Sequence, residues 1–245
     1  MLMPWHGLFA QLLLADRVLL YDDVQLPHGG GASRGFITRV QIKTPEGTEW
    51  LSVPIQRAGQ GRQKICEALV EDSDWRQDHV ARIERAYRSA PNFEPIWSLV
   101  VKPIYGNASE RLADFLVGSM EAIAAFLGMP TPFERSSQGD WANDLSSTAR
   151  VVAICKKVNA GRYLSGNGGM KYLDYEPFED AGVKVHFMRY SLNPYNQLHG
   201  DFTPYVSLID LLFNVPLEHA RQHLQTTAMY WRDWPQQVGG RPIPL

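Results

Sequence analysis

The stretch Arg17-Val18-Leu19-Leu20-Tyr21-Asp22-Asp23-Val24-Gln25 decides the fold. Its first half is a short unbroken apolar run, the pattern of a strand buried on both faces in a parallel sheet. Its second half turns abruptly polar, with two adjacent carboxylates. Just upstream, Leu8, Phe9, Leu12 and Leu13 recur at helical spacing behind the turn Pro4-Trp5-His6-Gly7. A helix feeding a buried strand that ends in carboxylates is the order of an α/β sheet, where ligands collect at the carboxyl ends of strands.

The same order returns in the second half of the chain. Ser146-Ser147-Thr148 opens a helix with Val151, Val152, Cys155 and Val158 facing inward and Gly161 closing it. A strand over 162–165 follows, Gly166-Asn167-Gly168-Gly169 breaks it, and a helix over 172–181 runs into a strand over 183–188. Between the halves, strands over 36–42 and 49–55 flank Thr44-Pro45-Glu46-Gly47, a hairpin signal. Periodicity predicts further helices over 74–90, 97–105, 109–127 (capped by Ser109, stopped by Gly128), 203–213 and 217–224, with a short strand over 131–135. The expected fold is therefore α/β: a central, mostly parallel sheet of nucleotide-binding, Rossmann-like type, helices on both faces and a β-hairpin. One domain is expected over 1–229, and 230–245 reads as a tail, mostly coil. There Trp231 and Trp234 either form a dimer contact or fold back over the core.

Composition narrows the class. The 245 residues carry 24 Lys+Arg against 26 Asp+Glu, a net charge of -2 that gives no basic excess for a nucleic-acid backbone. Two cysteines, Cys66 and Cys155, make neither a disulfide framework nor a cysteine-rich zinc site, and they read as buried structural thiols. The apolar run at 8–14 is too short to span a bilayer and lacks a basic leader, so no membrane span and no signal peptide are expected. A cytoplasmic protein acting on a small molecule is the resulting expectation. His219 and His223 alone have metal spacing, with no third ligand nearby, and no metal is predicted.

Four constellations could carry chemistry. In the first, the Pro-x-x-Gly turn places His6 at a helix start, where backbone N–H groups can meet an anion; it loosely parallels the His-x-Gly-His loop of nucleotidylyltransferases. Asp22 and Asp23 suit an amine, a sugar hydroxyl or a metal, with Gln25 beside them. One of the pair can face a crevice while the other caps a helix or pairs with an arginine. The bland alternative is a structural turn with Trp5 in the core. The second constellation is His28, Ser33, Arg34 and Arg39 around a glycine-rich loop, where arginines could hold a phosphate or could simply be solvated. The third is Ser165, Asn167, Lys171 and Asp174 around the second glycine loop, which is neither a Walker loop nor a dinucleotide fingerprint, and which could equally be a tight turn. The fourth is Tyr195, Gln197, His199, Asp201 and Asp210, aromatic, amide, imidazole and carboxylate groups dense enough to recognise a polyhydroxylated or an aromatic small molecule. Asp210 falls inside an apolar helix and needs a partner, an arginine above or a neighbouring cap.

In order along the chain, Pro4-Trp5, Gly7, Phe9, Ala15-Asp16, Tyr21-Asp22-Asp23-Val24-Gln25, Arg34, Arg39, Val53-Pro54, Trp75, Tyr87, Ser136-Ser137, Tyr163-Leu164-Ser165-Gly166, Gly168-Gly169, Tyr172-Leu173-Asp174, Tyr195, Gln197, Phe202, Pro204, Ser207 and Ile209-Asp210-Leu211 resemble the WbqC-like protein family. Two departures stand out. Members open with a strand ending in His-Gln-Pro, whereas this chain starts at Met1-Leu2-Met3, through truncation or through loss of that strand. The loop 28–31 also differs, which points to a different substrate. The resemblance implies a place among polysaccharide and sugar-modification genes. It implies a transferase or ligase that forms an amide by moving an acyl or aminoacyl group onto an amino sugar. The arginines would then hold a phosphate, Asp22 or Asp23 the amine, and His6 would be the base. The cofactor is left unknown; the expected partner is a small molecule, free or nucleotide-linked, with no nucleic acid and no membrane, and a homodimer stays open. Two alternatives stay open: a hydrolase or ligase acting on an unusual amino acid, and a non-catalytic nucleotide-sugar-binding protein.

Overall fold

The computed structural model describes residues 1–27, 36–56, 62–129, 133–238 and 241–242. Helix α1 (His6–Leu12) leads into strand β1 (Val18–Leu20), as the opening stretch predicts. The hairpin follows, β2 (Arg39–Thr44) against β3 (Gly47–Ser52), antiparallel with Thr44 opposite Gly47. Gly47 has φ +122°, a backbone region that glycine enters without strain.

Helix α2 (Trp75–Tyr87) buries Trp75, His79, Ile83, Ala86 and Tyr87, spaced as one stripe. A helical run follows: α3 (Phe93–Ile96), a π-helical turn at Trp97–Val101, and α4 (Lys102–Gly106). Pro103 has no N–H for the carbonyl of Leu99, and the widened turn lies just ahead of that break. Helix α5 (Leu112–Phe126) begins later than periodicity predicts. Ser109 is spent before it, accepting from the Arg111 N–H at 3.1 Å and donating to Asp114.

Strand β4 (Phe133–Arg135) pairs in parallel with β1, Val18 opposite Phe133 and Leu20 opposite Arg135. Helix α6 (Ser147–Lys157), strand β5 (Arg162–Ser165), helix α7 (Glu176–Asp180) and strand β6 (Lys184–Met188) repeat the predicted order. Here β5 and β6 are parallel, and β7 (Ala228–Tyr230) adds an antiparallel edge. Helices α8 (Leu208–Asn214) and α9 (Leu217–His223) precede β7, and the short pair β8 (Gln237–Val238) and β9 (Arg241–Pro242) ends the chain.

The chain is mixed α/β, but a central Rossmann-like sheet is not what the described residues form. Their strands fall into a parallel pair, a hairpin, a three-stranded sheet and a terminal pair. β1 has only β4 beside it, and all three of its residues are half-buried, not buried on both faces. The two predicted helices that shorten most are 172–181, reduced to α7, and 203–213, whose first turn is irregular up to Ser207.

Buried side chains form two clusters. The larger runs from Leu2 through the hairpin, α2, α5 and α8 to Leu224. The smaller gathers Val152, Cys155, Leu173, Phe178, Val185, Phe187, Trp231 and Trp234 around β5 and β6. Trp231 stacks on Tyr175 with centroids 4.3 Å apart, so both tail tryptophans fold back over this core. Cys155 is buried and Cys66 half-buried, and burial pushes the Cys155 thiol up to about 11, which leaves it unreactive. Among the described residues no helix is long and apolar enough to cross a membrane, and no group of three His, Cys, Asp or Glu side chains is placed to hold a metal.

Candidate functional site

Asp22 and Asp23 follow β1 at its carboxyl end, and the register of the parallel pair brings Arg135, Ser136 and Ser137 beside them. Asp22 is buried. It accepts from Arg135 Nε at 2.7 Å, from Ser137 Oγ at 2.7 Å and from the Ser137 N–H at 2.9 Å. Arg135 reaches on to Asp114 of α5 at 2.5 Å. Asp23 accepts from Ser136 Oγ and pairs with Arg150 of α6 at 2.7 Å. The Arg150 guanidinium lies 4.8 Å from the centroid of the Tyr21 ring. Burial alone would raise both aspartates. Hydrogen bonds from Ser137 and Arg135 to Asp22, and from Arg150 and Ser136 to Asp23, outweigh it and hold both carboxyls below their usual range. Three carboxylates thus face two guanidiniums, and this network carries one net negative charge.

The Pro4-Trp5-His6-Gly7 turn belongs to a second network. The Trp5 indole lies across Gly7, where a Cβ would stand 2.2 Å from the ring, so the turn needs a residue without a side chain. Trp5 is half-exposed with its edge toward Tyr190, not packed in the core. Residues 3–5 dock onto the start of α8: the Leu208 N–H donates to the Pro4 carbonyl at 3.0 Å, and Ser207 Oγ donates to the Met3 carbonyl at 2.7 Å. This contact brings His6 to the hydroxyl of Tyr195 at 3.2 Å. Tyr195 donates to Asp210 at 2.8 Å, and Tyr87 and Gln197 donate to the same carboxylate at 2.9 Å each. Lys43 of β2 is buried beside them, on Gln197 Oε1 at 3.2 Å and the Gly200 carbonyl at 2.9 Å.

Asp210 is therefore held by two tyrosines and an amide, not by an arginine or a cap as the sequence suggested. Its pKa is raised because burial outweighs those donors. His6 is fully buried. Burial first, and the neighbouring His223 second, push it down to about 3, so it is a neutral imidazole. Its Nδ1 has no hydrogen-bond partner among the described residues. Among those residues, the His6 network and the Asp22–Asp23 network share no hydrogen-bond or ion-pair partner.

The remaining candidates are scattered. His28 and Arg34 lie outside the described residues. Gln25 is exposed and bridges to Lys64, and Arg39 stacks on Trp50 of the hairpin at 4.2 Å. Ser165 is buried and donates to the Gly166 carbonyl at 3.0 Å, a bond internal to its own turn. A Cβ on Gly169 would meet Ser165 Oγ at 2.3 Å, so a tight turn is what this loop builds. Asn167 keeps a buried Oδ1 without a partner among the described residues, while Lys171 and Asp174 are exposed. His199 reaches the Ala86 carbonyl, and Asp201 offers its carbonyl to Lys43.

Sequence reasoning missed Arg135, Arg150 and Lys43. Spacing gives no signal for Arg150, which lies off the inward stripe expected of that helix yet is buried in α6. Arg135 and Lys43 lie on strands where alternation gives no warning.

The comparisons match the sequence along most of its length. The model of the WbqC-like protein family matches residues 1–222. A relative from Mycobacterium tuberculosis (strain ATCC 25618 / H37Rv), named "Uncharacterized protein Rv1507c", is 33% identical over 219 residues, covering 88% of this chain and 90% of its own. No solved structure matches. The chain belongs to the WbqC-like protein family.

Proposed function

We propose that this protein is a small-molecule biosynthetic enzyme that acylates an amine, with the Asp22–Asp23 network as the seat of the amine. The observation that carries the reading is the charge of that network: two low-pKa carboxylates at a strand's carboxyl end, three carboxylates to two arginines in all. A site of this kind attracts a cation and rejects a free carboxylate or phosphate. The ammonium of an amino sugar, the acceptor that the family resemblance implies, has the charge and the donors to use the remaining lone pairs.

Holding an amine against an activated acyl group supplies proximity, the largest contribution such a site can make without further chemistry. The anchored ammonium first gives one proton to solvent; the neutral nitrogen then forms the new C–N bond, the bond to the leaving group breaks, and the departing group takes the second proton that the nitrogen sheds. Low pKa values suit Asp22 and Asp23 to anchoring an ammonium more than to removing its proton. His6, fully buried on Tyr195 in the other network, takes no part in this scheme.

The test is a reconstituted reaction with nucleotide-linked amino sugars and activated acyl or aminoacyl donors, read by the mass of the product. Asp23→Asn should cut turnover by roughly a hundredfold, as removal of a positioned catalytic contact does, with the folded state checked by circular dichroism. Unchanged turnover in both Asp22→Asn and Asp23→Asn would remove these residues from the reaction.

A further inference from the structure

Away from the strand-end network, the segment Pro194-Tyr195-Asn196 borders two surface depressions of about 470 and 420 Å³. The larger is walled by Asn196 and Asn214 on one side and by α9 on the other. His219, Gln222 and His223 stand at i, i+3 and i+4 of that helix, so they share one face. Among the described residues, the lining holds no lysine, arginine, aspartate or glutamate.

His223 stands edge-on to Tyr195, ring centroids 5.8 Å apart. Burial first and His219 second hold its imidazole below the usual range, so it is neutral. Its Nδ1 is buried and has no hydrogen-bond partner among the described residues. Tyr195 contributes only its ring to this wall, because its hydroxyl is committed to Asp210, Gln197 and His6. Asn214 is similarly engaged, donating to the Asp210 carbonyl at 2.8 Å and accepting from the Leu198 N–H at 3.1 Å. The His223 ring also bonds the Asn193 backbone, so the groups left for a ligand are Asn196, Gln222 and the exposed His219 imidazole.

We infer that this depression binds an uncharged, hydroxyl-rich ring, a neutral sugar. Amides and imidazoles each donate and accept, which is the pairing a hydroxyl needs. A phosphate, carboxylate or ammonium would be desolvated here without a counter-charge. Val215 and Pro216 complete the lining with an apolar edge for the C–H face of a ring. The volume lies within the range of about 300–1,000 Å³ usual for small-molecule sites. None of these residues takes part in the Asp22–Asp23 network, so the inference does not rest on the acylation reading.

The experiment is protein-detected NMR of the full chain titrated with glucose, galactose and N-acetylglucosamine, then with glucose 6-phosphate and gluconate. The neutral sugars should shift the signals of Asn196, His219, Gln222 and His223 and bind at least about fivefold tighter than the anions. Gln222→Ala, exposed on α9, should weaken that binding by roughly fivefold, the scale of one lost hydrogen bond. Asp23→Asn should leave it unchanged, so a failed acylation assay and a failed sugar site are told apart. Anions binding as tightly, shifts that map elsewhere, or no shift with any neutral sugar would each overturn the inference.

Discussion

Asp210 shows how one residue can organise several elements. It is fully buried and gathers donors from α2 (Tyr87), α8's upstream segment (Tyr195, Gln197) and, through Gln197, from β2 (Lys43). Removing the carboxylate leaves several buried donors unpaired at once. Asp210→Ala should therefore cost about 3–5 kcal/mol, measured by denaturant unfolding, against about 1 kcal/mol for Tyr87→Phe. A cost for Asp210→Ala below that of Tyr87→Phe would mean the network is not what holds α8. That Asp210 needed a partner was legible from a charge inside an apolar helix. Which partner was not, because Tyr87 lies 123 positions away and no local pattern pairs it with α8.

At the scale of elements, the ion pair between Asp23 and Arg150 joins two building blocks. Asp23 follows β1, which packs with the larger core, and Arg150 lies on α6, which packs with the smaller. Gln11 of α1, donating to the Leu164 carbonyl of β5 at 3.1 Å, makes a second tie between them. Both members of the ion pair are nearly buried, so salt screens it little. A double-mutant cycle on Asp23→Asn and Arg150→Met should give a coupling of about 1–3 kcal/mol that persists at high salt. A coupling near zero would reduce the pair to a surface contact, whose value is usually below about 1 kcal/mol. The helix–strand–loop–helix–strand order of these blocks was legible from apolar periodicity alone. The pairing of strands was not: parallel partners such as β1 and β4 are separated by more than a hundred residues, and three-residue strands carry too little pattern to specify a neighbour.

Across the whole molecule, buried neutral histidines set the acid limit of stability. Burial pushes His6 down to about 3 and His79, which hydrogen-bonds Tyr105 at 3.1 Å, down to about 4. In the unfolded chain both take up protons near pH 6.5. The unfolded state therefore binds more protons as pH falls below about 6.5, and stability drops with it. Around pH 5 the two rings together contribute a slope approaching two protons, roughly 2.7 kcal/mol per pH unit, which the raised Asp210 partly offsets. Asp22 and Asp23, held low, add their loss only below about pH 4, where the unfolded carboxylates protonate first. Unfolding free energies measured across this range should show the fall, and His6→Gln should flatten it by about one proton. A stability independent of pH from 6.5 to 4 would contradict the burial of both rings. Burial of His6 was not legible in the sequence, while His79 carried a local sign of it, four residues from both Trp75 and Ile83 on one helical stripe.

The central claim is that the Asp22–Asp23 network recognises an amine. It is tested most directly by NMR titration of the full chain with a nucleotide-linked amino sugar and with its N-acetylated form, following the signals of Tyr21, Ser136, Ser137 and Arg150. The free amine should bind there at least roughly tenfold tighter, the scale of one charge-assisted contact, and Asp23→Asn should abolish the difference. Equal binding of the two forms, or a preference that survives both Asp22→Asn and Asp23→Asn, would contradict it.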